Sequence, residues 1–85
     1  MDTYPINMGQ GTYISAGEIL AIVTADSAPV KRTIQHARER GFLINATYGR
    51  KTRSVIITKS NHVVLSSLHP ETIANRLLPA KQEQG

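Results

Sequence analysis

The chain has 85 residues, enough for one domain but not for a second hydrophobic core. It has no cysteine, which excludes disulfides and thiolate metal sites, and its three histidines lack the spacing of a metal site on one helix turn. The formal net charge is +4. Residues 31–59 hold eight basic residues and one acid, a balance of +7, whereas the rest of the chain carries −3. This asymmetry favours an anionic partner, with a solvated basic surface as the alternative.

The N-terminus and the apolar segments do not predict export or membrane insertion. The first residues lack the basic and apolar regions of a signal peptide. The longest apolar run, residues 19–23, is far shorter than the roughly 20 residues of a membrane span. We therefore expect a cytoplasmic, nucleoid-associated protein with no membrane partner. We expect residues 1–79 to form the domain and residues 80–85 to be a disordered tail.

The first long apolar segment predicts a strand. It covers residues 14–24 and follows a predicted turn at residues 9–11. Its centre, residues 19–23, is continuously apolar, which is typical of a strand covered on both faces.

An amphipathic helix is predicted next. Asp26 or Ser27 can cap it, Pro29 fits its first turn, and it should run to Arg40 and end at Gly41, which accepts the left-handed conformation. Its buried stripe has helical spacing: Val30, Ile34 and Ala37. Its outer face is mostly basic: Lys31, Arg32, Gln35 and Arg38.

The second half of the chain predicts several short elements. They are a strand at 42–47, a basic turn at 46–53, strands at 54–58 and 62–66 around a turn at 59–61, and a helix from 69 to Pro79. The apolar side of that helix consists of Ile73, Leu77 and Leu78. The order of elements indicates a small single α+β domain with a mostly antiparallel sheet, one main helix and a short C-terminal helix.

The polar residues do not form an enzyme motif. The acids lie mostly at predicted caps, on helix surfaces and in the tail, and no Gly-x-Ser-x-Gly elbow is present. Gly9-Gln10-Gly11 lacks the third glycine of a dinucleotide-binding loop, so a tight turn is the better interpretation. We expect no enzymatic activity, no cofactor, no metal and no small-molecule substrate.

Residues 48–53 (Tyr-Gly-Arg-Lys-Thr-Arg) are the strongest candidate for a binding site. Three cations, Arg50, Lys51 and Arg53, lie within four positions. Arginine forks match phosphate oxygens, and lysine adds a mobile point charge. In an extended segment, Arg50 and Thr52 would face one way and Lys51 and Arg53 the other. The alternative is a cationic strand start that protects a sheet edge.

Five different motifs follow one another in a specific order and at specific spacings within residues 6–77. They are Ser-Ala-Pro-Val-Lys-Arg at 27–32, Ala-Arg-Glu-Arg-Gly at 37–41, Ala-Thr-Tyr-Gly-Arg-Lys-Thr-Arg at 46–53, Val-Ile-Ile-Thr at 55–58 and His-Pro-Glu-Thr-Ile-Ala-Asn-Arg-Leu at 69–77. This pattern resembles the RemA family of bacterial extracellular matrix regulatory proteins. The resemblance implies a cytoplasmic DNA-binding regulator that activates matrix (biofilm) genes, a ring-shaped homo-oligomer, and a subunit fold similar to DNA-binding domains of the LytTR type.

The resemblance also implies site residues. The DNA-contacting arginine pair of the family corresponds to Arg50 and Lys51, so a lysine stands at the second position. Glu18 stands where the family has a basic residue, and Gln10 replaces an aromatic residue between two early glycines. The charge reversal at Glu18 implies either a different docking geometry or a different target and affinity.

These observations predict a transcriptional regulator that binds double-stranded DNA with tolerance for sequence. Arg50, Lys51 and Arg53 would contact phosphates, with help from Lys31 or Arg32 on the helix. The alternative function is an oligomeric interaction scaffold without DNA binding, in which Glu18 of one subunit would pair with a cation of the next.

Overall fold

The computed structural model describes residues 4–77 and has the predicted α+β composition. Its elements are strands β1 (Pro5–Asn7) and β2 (Tyr13–Ser15), a 3₁₀ turn (Ala16–Glu18), strand β3 (Ile19–Thr24), helix α1 (Ala28–Arg40), strands β4 (Leu43–Asn45), β5 (Ser54–Thr58) and β6 (Val63–Ser66), and helix α2 (Pro70–Leu77). The strand predicted at residues 42–47 shortens to β4, and β1 has no counterpart in the expectations from sequence. Leu78, the predicted helix end at Pro79 and the predicted tail at 80–85 lie outside the described residues.

The main sheet has four strands in the order β3-β5-β6-β4. β5 is antiparallel to β3 and to β6, whereas β4 is parallel to β6; β1 and β2 form a separate antiparallel hairpin. The mostly antiparallel sheet and the β5–β6 hairpin are therefore confirmed. β4 has the same direction as β3 because α1 crosses over from one edge of the sheet to the other.

Two apolar clusters cover the two faces of the sheet. The first joins the sheet to α2 and to the β1–β2 hairpin: Ile6, Met8, Ala16, Ala46, Ile56, Val64 and Ile73. The second joins the sheet to α1: Ala37, Val55, Val63 and Leu65. Successive side chains of a strand point to opposite faces, so β5 and β6 contribute to both clusters. The two helices therefore cover opposite faces of the sheet.

The apolar segment at residues 14–24 is not the single, fully covered strand that its sequence predicts. It divides into β2 and β3 around the 3₁₀ turn, and β3 lies at an edge of the sheet. Leu20 is 66% exposed, because the pairing register shifts between Ile19 and Ala21 and leaves Leu20 without a partner on β5. The prediction is wrong because an apolar run does not reveal which strand of a sheet is central. Here the central strands are β5 and β6.

Helix α1 forms where its local signals predict it. Ser27 Oγ accepts a hydrogen bond from Val30 N (3.3 Å) at the first turn. Gly41 follows the last turn with φ +80°, and its N–H bonds carbonyl groups of that turn. The predicted stripe packs against the sheet: Val30, Ile34 and Ala37. The predicted outer face is exposed: Lys31, Arg32, Gln35 and Arg38.

Replacing Gly41 by alanine is expected to lower the free energy of unfolding by about 1 kcal/mol, because an L side chain is strained in the left-handed region. A Cβ at Gly41 would have no neighbour within 4 Å, so steric contact adds nothing to the penalty. Urea denaturation followed by circular dichroism measures the change. Gly41→Asn is the matched control, since asparagine tolerates this conformation and should lose less. Equal losses for both variants would contradict the backbone explanation.

Candidate nucleic-acid interface

The basic loop, residues 48–53, joins β4 to β5 and is anchored where it leaves β4. Buried Thr47 donates to Asn45 Oδ1 through its hydroxyl (2.6 Å) and its backbone N–H (2.9 Å). Tyr48 (φ +52°) and Gly49 (φ +86°) then reverse the chain, and Arg50 N donates to Thr47 O (3.1 Å). The loop has no regular secondary structure, as the sequence predicts, yet its backbone is held in place.

The other end of the basic loop continues the pairing of β5 with β6. Arg53 N donates to Ser66 O (2.9 Å), immediately before the first residue of β5. Arg50, Lys51 and Arg53 are all exposed. The loop therefore displays its cations in water from a backbone that is tied down at both ends.

The turn between β1 and β2, residues 9–11, docks beside the basic loop. Fully buried Ser66 donates its hydroxyl proton to Met8 O (2.6 Å), and a Cβ at Gly9 would lie 3.5 Å from Leu68 Cγ. Between the turn and the basic loop, Thr12 Oγ1 and the Tyr48 hydroxyl share a hydrogen bond of 3.4 Å. Two loops that are distant in sequence are thus brought together at one end of the sheet.

A hollow of about 460 Å³ lies between these two loops. Its walls contain three cations and no acid: Gln10, Arg50, Lys51, Arg53, Ser67 and Leu68. The cationic groups of Arg50, Lys51 and Arg53 hydrogen-bond to no other residue in the described range, whereas the Arg76 guanidinium donates to Asn7 O. Cations with free donors attract an anion such as a phosphate, and no carboxylate lines this hollow to compete for them.

A second hollow, of about 350 Å³, has a mixed charge. It is lined by Thr24, Asp26, Lys51, Thr52, Arg53, His69, Pro70 and Glu71. Arg50 and Thr52 therefore line different hollows, whereas Lys51 and Arg53 border both. The shared position of Lys51 and Arg53 agrees with the predicted alternation, whereas Arg50 and Thr52 do not share a hollow. The acid-free hollow is the better anion site.

The structure places the five candidate cations in two groups. Arg50, Lys51 and Arg53 share the acid-free hollow, whereas Lys31 and Arg32 lie on the exposed face of α1 and line neither hollow. The hollow also contains Gln10, which the resemblance marked as a departure from the family pattern and which is far from the basic loop in the sequence.

Glu18, the charge reversal relative to the family pattern, lies away from the basic loop. It ends the 3₁₀ turn before β3, and its carbonyl oxygen accepts a hydrogen bond from Lys59 N (2.8 Å). The register pairs Thr24 with Ser54 beside the basic loop and Ile19 with Thr58 at the other end of β5. These ends are about 13 Å apart along the strand. Within one subunit, Glu18 is therefore outside the cationic hollow.

Residues 4–77 contain neither a cluster of metal ligands nor a helix able to span a membrane. No group of three or more histidines, aspartates or glutamates in that range is placed to hold a metal ion. Neither α1 nor α2 combines the length and apolarity needed to cross a membrane.

Comparison with known proteins gives the family. The family described as RemA-like, extracellular matrix regulatory protein A-like, matches residues 6–77. A relative from a Synechococcus species is 62% identical over 81 residues, which cover 95% of this chain and 91% of the relative. A relative from Desulforamulus reducens is 57% identical over 84 residues, which cover 99% and 93%. Each is named "Putative regulatory protein". The resemblance seen in the motifs is confirmed, and the chain belongs to the RemA-like family.

Proposed function

We propose that this protein is a cytoplasmic, nucleoid-associated regulator of transcription that binds double-stranded DNA. The observation that carries the proposal is the hollow between the two docked loops, where three cations stand without an acid. The names of the relatives support a regulatory role, and the description of the family favours genes of the extracellular matrix as targets.

In this proposal the basic loop binds the phosphate backbone. Arg50 can grip a phosphate with two parallel hydrogen bonds, Lys51 adds a mobile charge, and Arg53 contributes from the root of the loop. Lys31 and Arg32 on α1 extend the positive surface. Because phosphate contacts carry no sequence information directly, most of the affinity is tolerant of sequence.

The proposal includes assembly into a ring of identical subunits. Among the described residues, β3 and β4 each have a neighbouring strand on one side only, and each has an exposed aliphatic side chain: Leu20 on β3 (66%) and Ile44 on β4 (42%). Contact between two different edges is heterologous, and repeated contacts of this kind form a ring when the rotation between neighbouring subunits closes. A ring multiplies the basic loops, and linked contacts raise affinity by about 10²–10⁴-fold. DNA that bends around the rim would meet several loops in succession.

Binding to duplex DNA is expected to weaken steeply as salt increases. Each phosphate that a cation neutralises contributes a slope of about −0.9 to log K against log salt concentration. Contacts from Arg50, Lys51 and Arg53 together give a slope of about −2.7 for each bound subunit. Fluorescence anisotropy of labelled duplexes over a series of NaCl concentrations measures this slope. A slope near zero would contradict phosphate binding by the loop.

The second candidate function is an oligomeric scaffold without DNA binding. The exposed aliphatic side chains of the two sheet edges favour it as much as they favour the ring, and Glu18 could pair there with a cation of a neighbouring subunit. Size-exclusion chromatography with light scattering at low and high salt, beside the anisotropy titration, separates the two functions. An assembly that dissociates in salt and binds no duplex supports the scaffold.

A further inference from the structure

Gln10 has an unusual backbone position at the edge of the cationic hollow. It is exposed at the tip of the β1–β2 turn with φ +57°, between Gly9 (φ +103°) and Gly11 (φ +84°). Of the seven described residues with positive φ, five lie in this turn and in the facing basic loop. Two of the five, Gln10 and Tyr48, are not glycines, and a left-handed conformation at such residues persists only where the surrounding structure maintains it, often at ligand sites.

The turn that presents Gln10 is held by its own backbone and by the sheet. Gly9 N donates to Asn7 Oδ1 (2.8 Å), Met8 N donates to Thr12 O (2.7 Å), and Thr12 N donates to Gly9 O (3.1 Å). Buried Ser66 fixes the Met8 carbonyl to the end of β6. None of these hydrogen bonds uses the Gln10 side chain, which has no hydrogen-bonding partner within residues 4–77. The amide is therefore free to bind a ligand while the backbone beneath it stays fixed.

The chemistry of the Gln10 amide differs from that of the cations beside it. An amide carries no charge, so it adds no Coulombic attraction to a phosphate, but it offers one acceptor oxygen and two donor hydrogens in a plane. In the major groove, adenine presents the complementary pair, the N7 acceptor and the N6 amino donor, and glutamine pairs with both. The walls of one hollow thus combine phosphate-binding groups, Arg50 and Lys51, with a group suited to a base edge.

We propose that Gln10 reads the major-groove edge of an adenine while Arg50 and Lys51 hold the adjacent phosphates. This inference rests on the proposed DNA binding and adds to it a determinant of sequence preference. In this arrangement the β1–β2 turn contacts the base and the basic loop binds the phosphates on either side. The fixed geometry between them, set by the Ser66–Met8 hydrogen bond, gives the base contact its register relative to the backbone.

The test selects duplexes from a randomised pool with the wild-type protein, Gln10→Ala and Gln35→Ala. Gln35 is the matched control, because it is an exposed glutamine of α1 whose amide contacts Glu39 and Arg38 and not the hollow. Alanine and glutamine both carry a Cβ, so Gln10→Ala does not add backbone strain.

Wild type and Gln35→Ala are expected to enrich adenine at one recurrent position. Changing that A·T pair to G·C should raise Kd about tenfold, as should 7-deazaadenine, which lacks the N7 acceptor. Gln10→Ala should bind the selected duplex, its G·C variant and its 7-deazaadenine variant with similar Kd, and the slope of log K against log salt concentration should be unchanged. An unchanged preference in Gln10→Ala, or salt-dependent binding by wild type without any base preference, would overturn the inference and leave the proposed function standing. Failure of wild type to bind any duplex would reject the proposed function itself.

Discussion

Replacing both Arg50 and Lys51 by alanine is expected to weaken binding to duplex DNA at least about 100-fold, because a hydrogen bond to a charged group contributes about 1.5–3 kcal/mol. The loss in an assembled ring should be larger, since every subunit loses its contacts together. Both side chains are exposed, so the free energy of unfolding should stay within about 0.5 kcal/mol of wild type. Anisotropy titration and urea denaturation measure the two quantities.

The control for this double variant is Arg38→Ala with Arg40→Ala. It removes the same formal charge from the last turn of α1, where neither residue lines the cationic hollow. Its effect on DNA affinity should be several-fold at most and should fade as salt increases, because only long-range attraction is lost. Equal losses in the two double variants would show that net charge, and not the loop, determines affinity. Wild-type affinity in Arg50→Ala, Lys51→Ala protein that still assembles would refute the proposed interface.

The elements that could be predicted from sequence are those with local causes. Helix α1 has a cap at Ser27, an apolar stripe at helical spacing and a terminator at Gly41, all within one segment. The β5–β6 hairpin follows from two β-branched runs around a short turn, in which Asn61 takes φ +69°. In both cases residues close in sequence determine the conformation, so the element can be predicted without knowledge of tertiary contacts.

The features that escaped prediction depend on distant partners. β3 has the longest continuous apolar run but lies at an edge of the sheet, since its position is set by the order in which the strands pair. β4 is parallel to β6 because α1 carries the chain from β3 across to the opposite edge of the sheet. β1 has only three residues, and its place follows from pairing with β2 and not from a pattern of its own. Periodicity within a segment contains none of this information.

The candidate site shows the same division. Arg50, Lys51 and Arg53 are close in sequence, so their common role could be proposed before the fold was known. Gln10 joins them through long-range contacts, among them the hydrogen bond from the Ser66 hydroxyl to Met8 O across 58 positions of the chain. From its local sequence the Gly-Gln-Gly segment indicates only a turn, and the resemblance adds that Gln10 replaces an aromatic residue of the family. In the folded chain this turn forms one wall of the cationic hollow.

Replacing Ile56 by alanine is expected to lower the free energy of unfolding by about 3 kcal/mol, because it leaves a cavity at the centre of the first apolar cluster. Ile56 is 0% exposed in β5, pairs with Ile22 and Val64, and packs in the cluster that contains Met8 and Ile73. Total stabilities of small domains are about 5–15 kcal/mol, so this is a large fraction. The same cluster supports the β1–β2 turn, so the variant should also weaken DNA binding as unfolding begins.

Ile56→Val is the graded control for the cavity. It removes one methylene and should cost only about 1 kcal/mol, with DNA affinity close to wild type. Urea denaturation at one fixed protein concentration measures both variants, because assembly makes stability depend on concentration. Losses of similar size for valine and alanine would contradict the cavity explanation. A stable Ile56→Ala protein would show that subunit contacts, and not this cluster, supply most of the stability of so small a domain. The proposed ring would then be part of the fold and not only a means of multiplying basic loops.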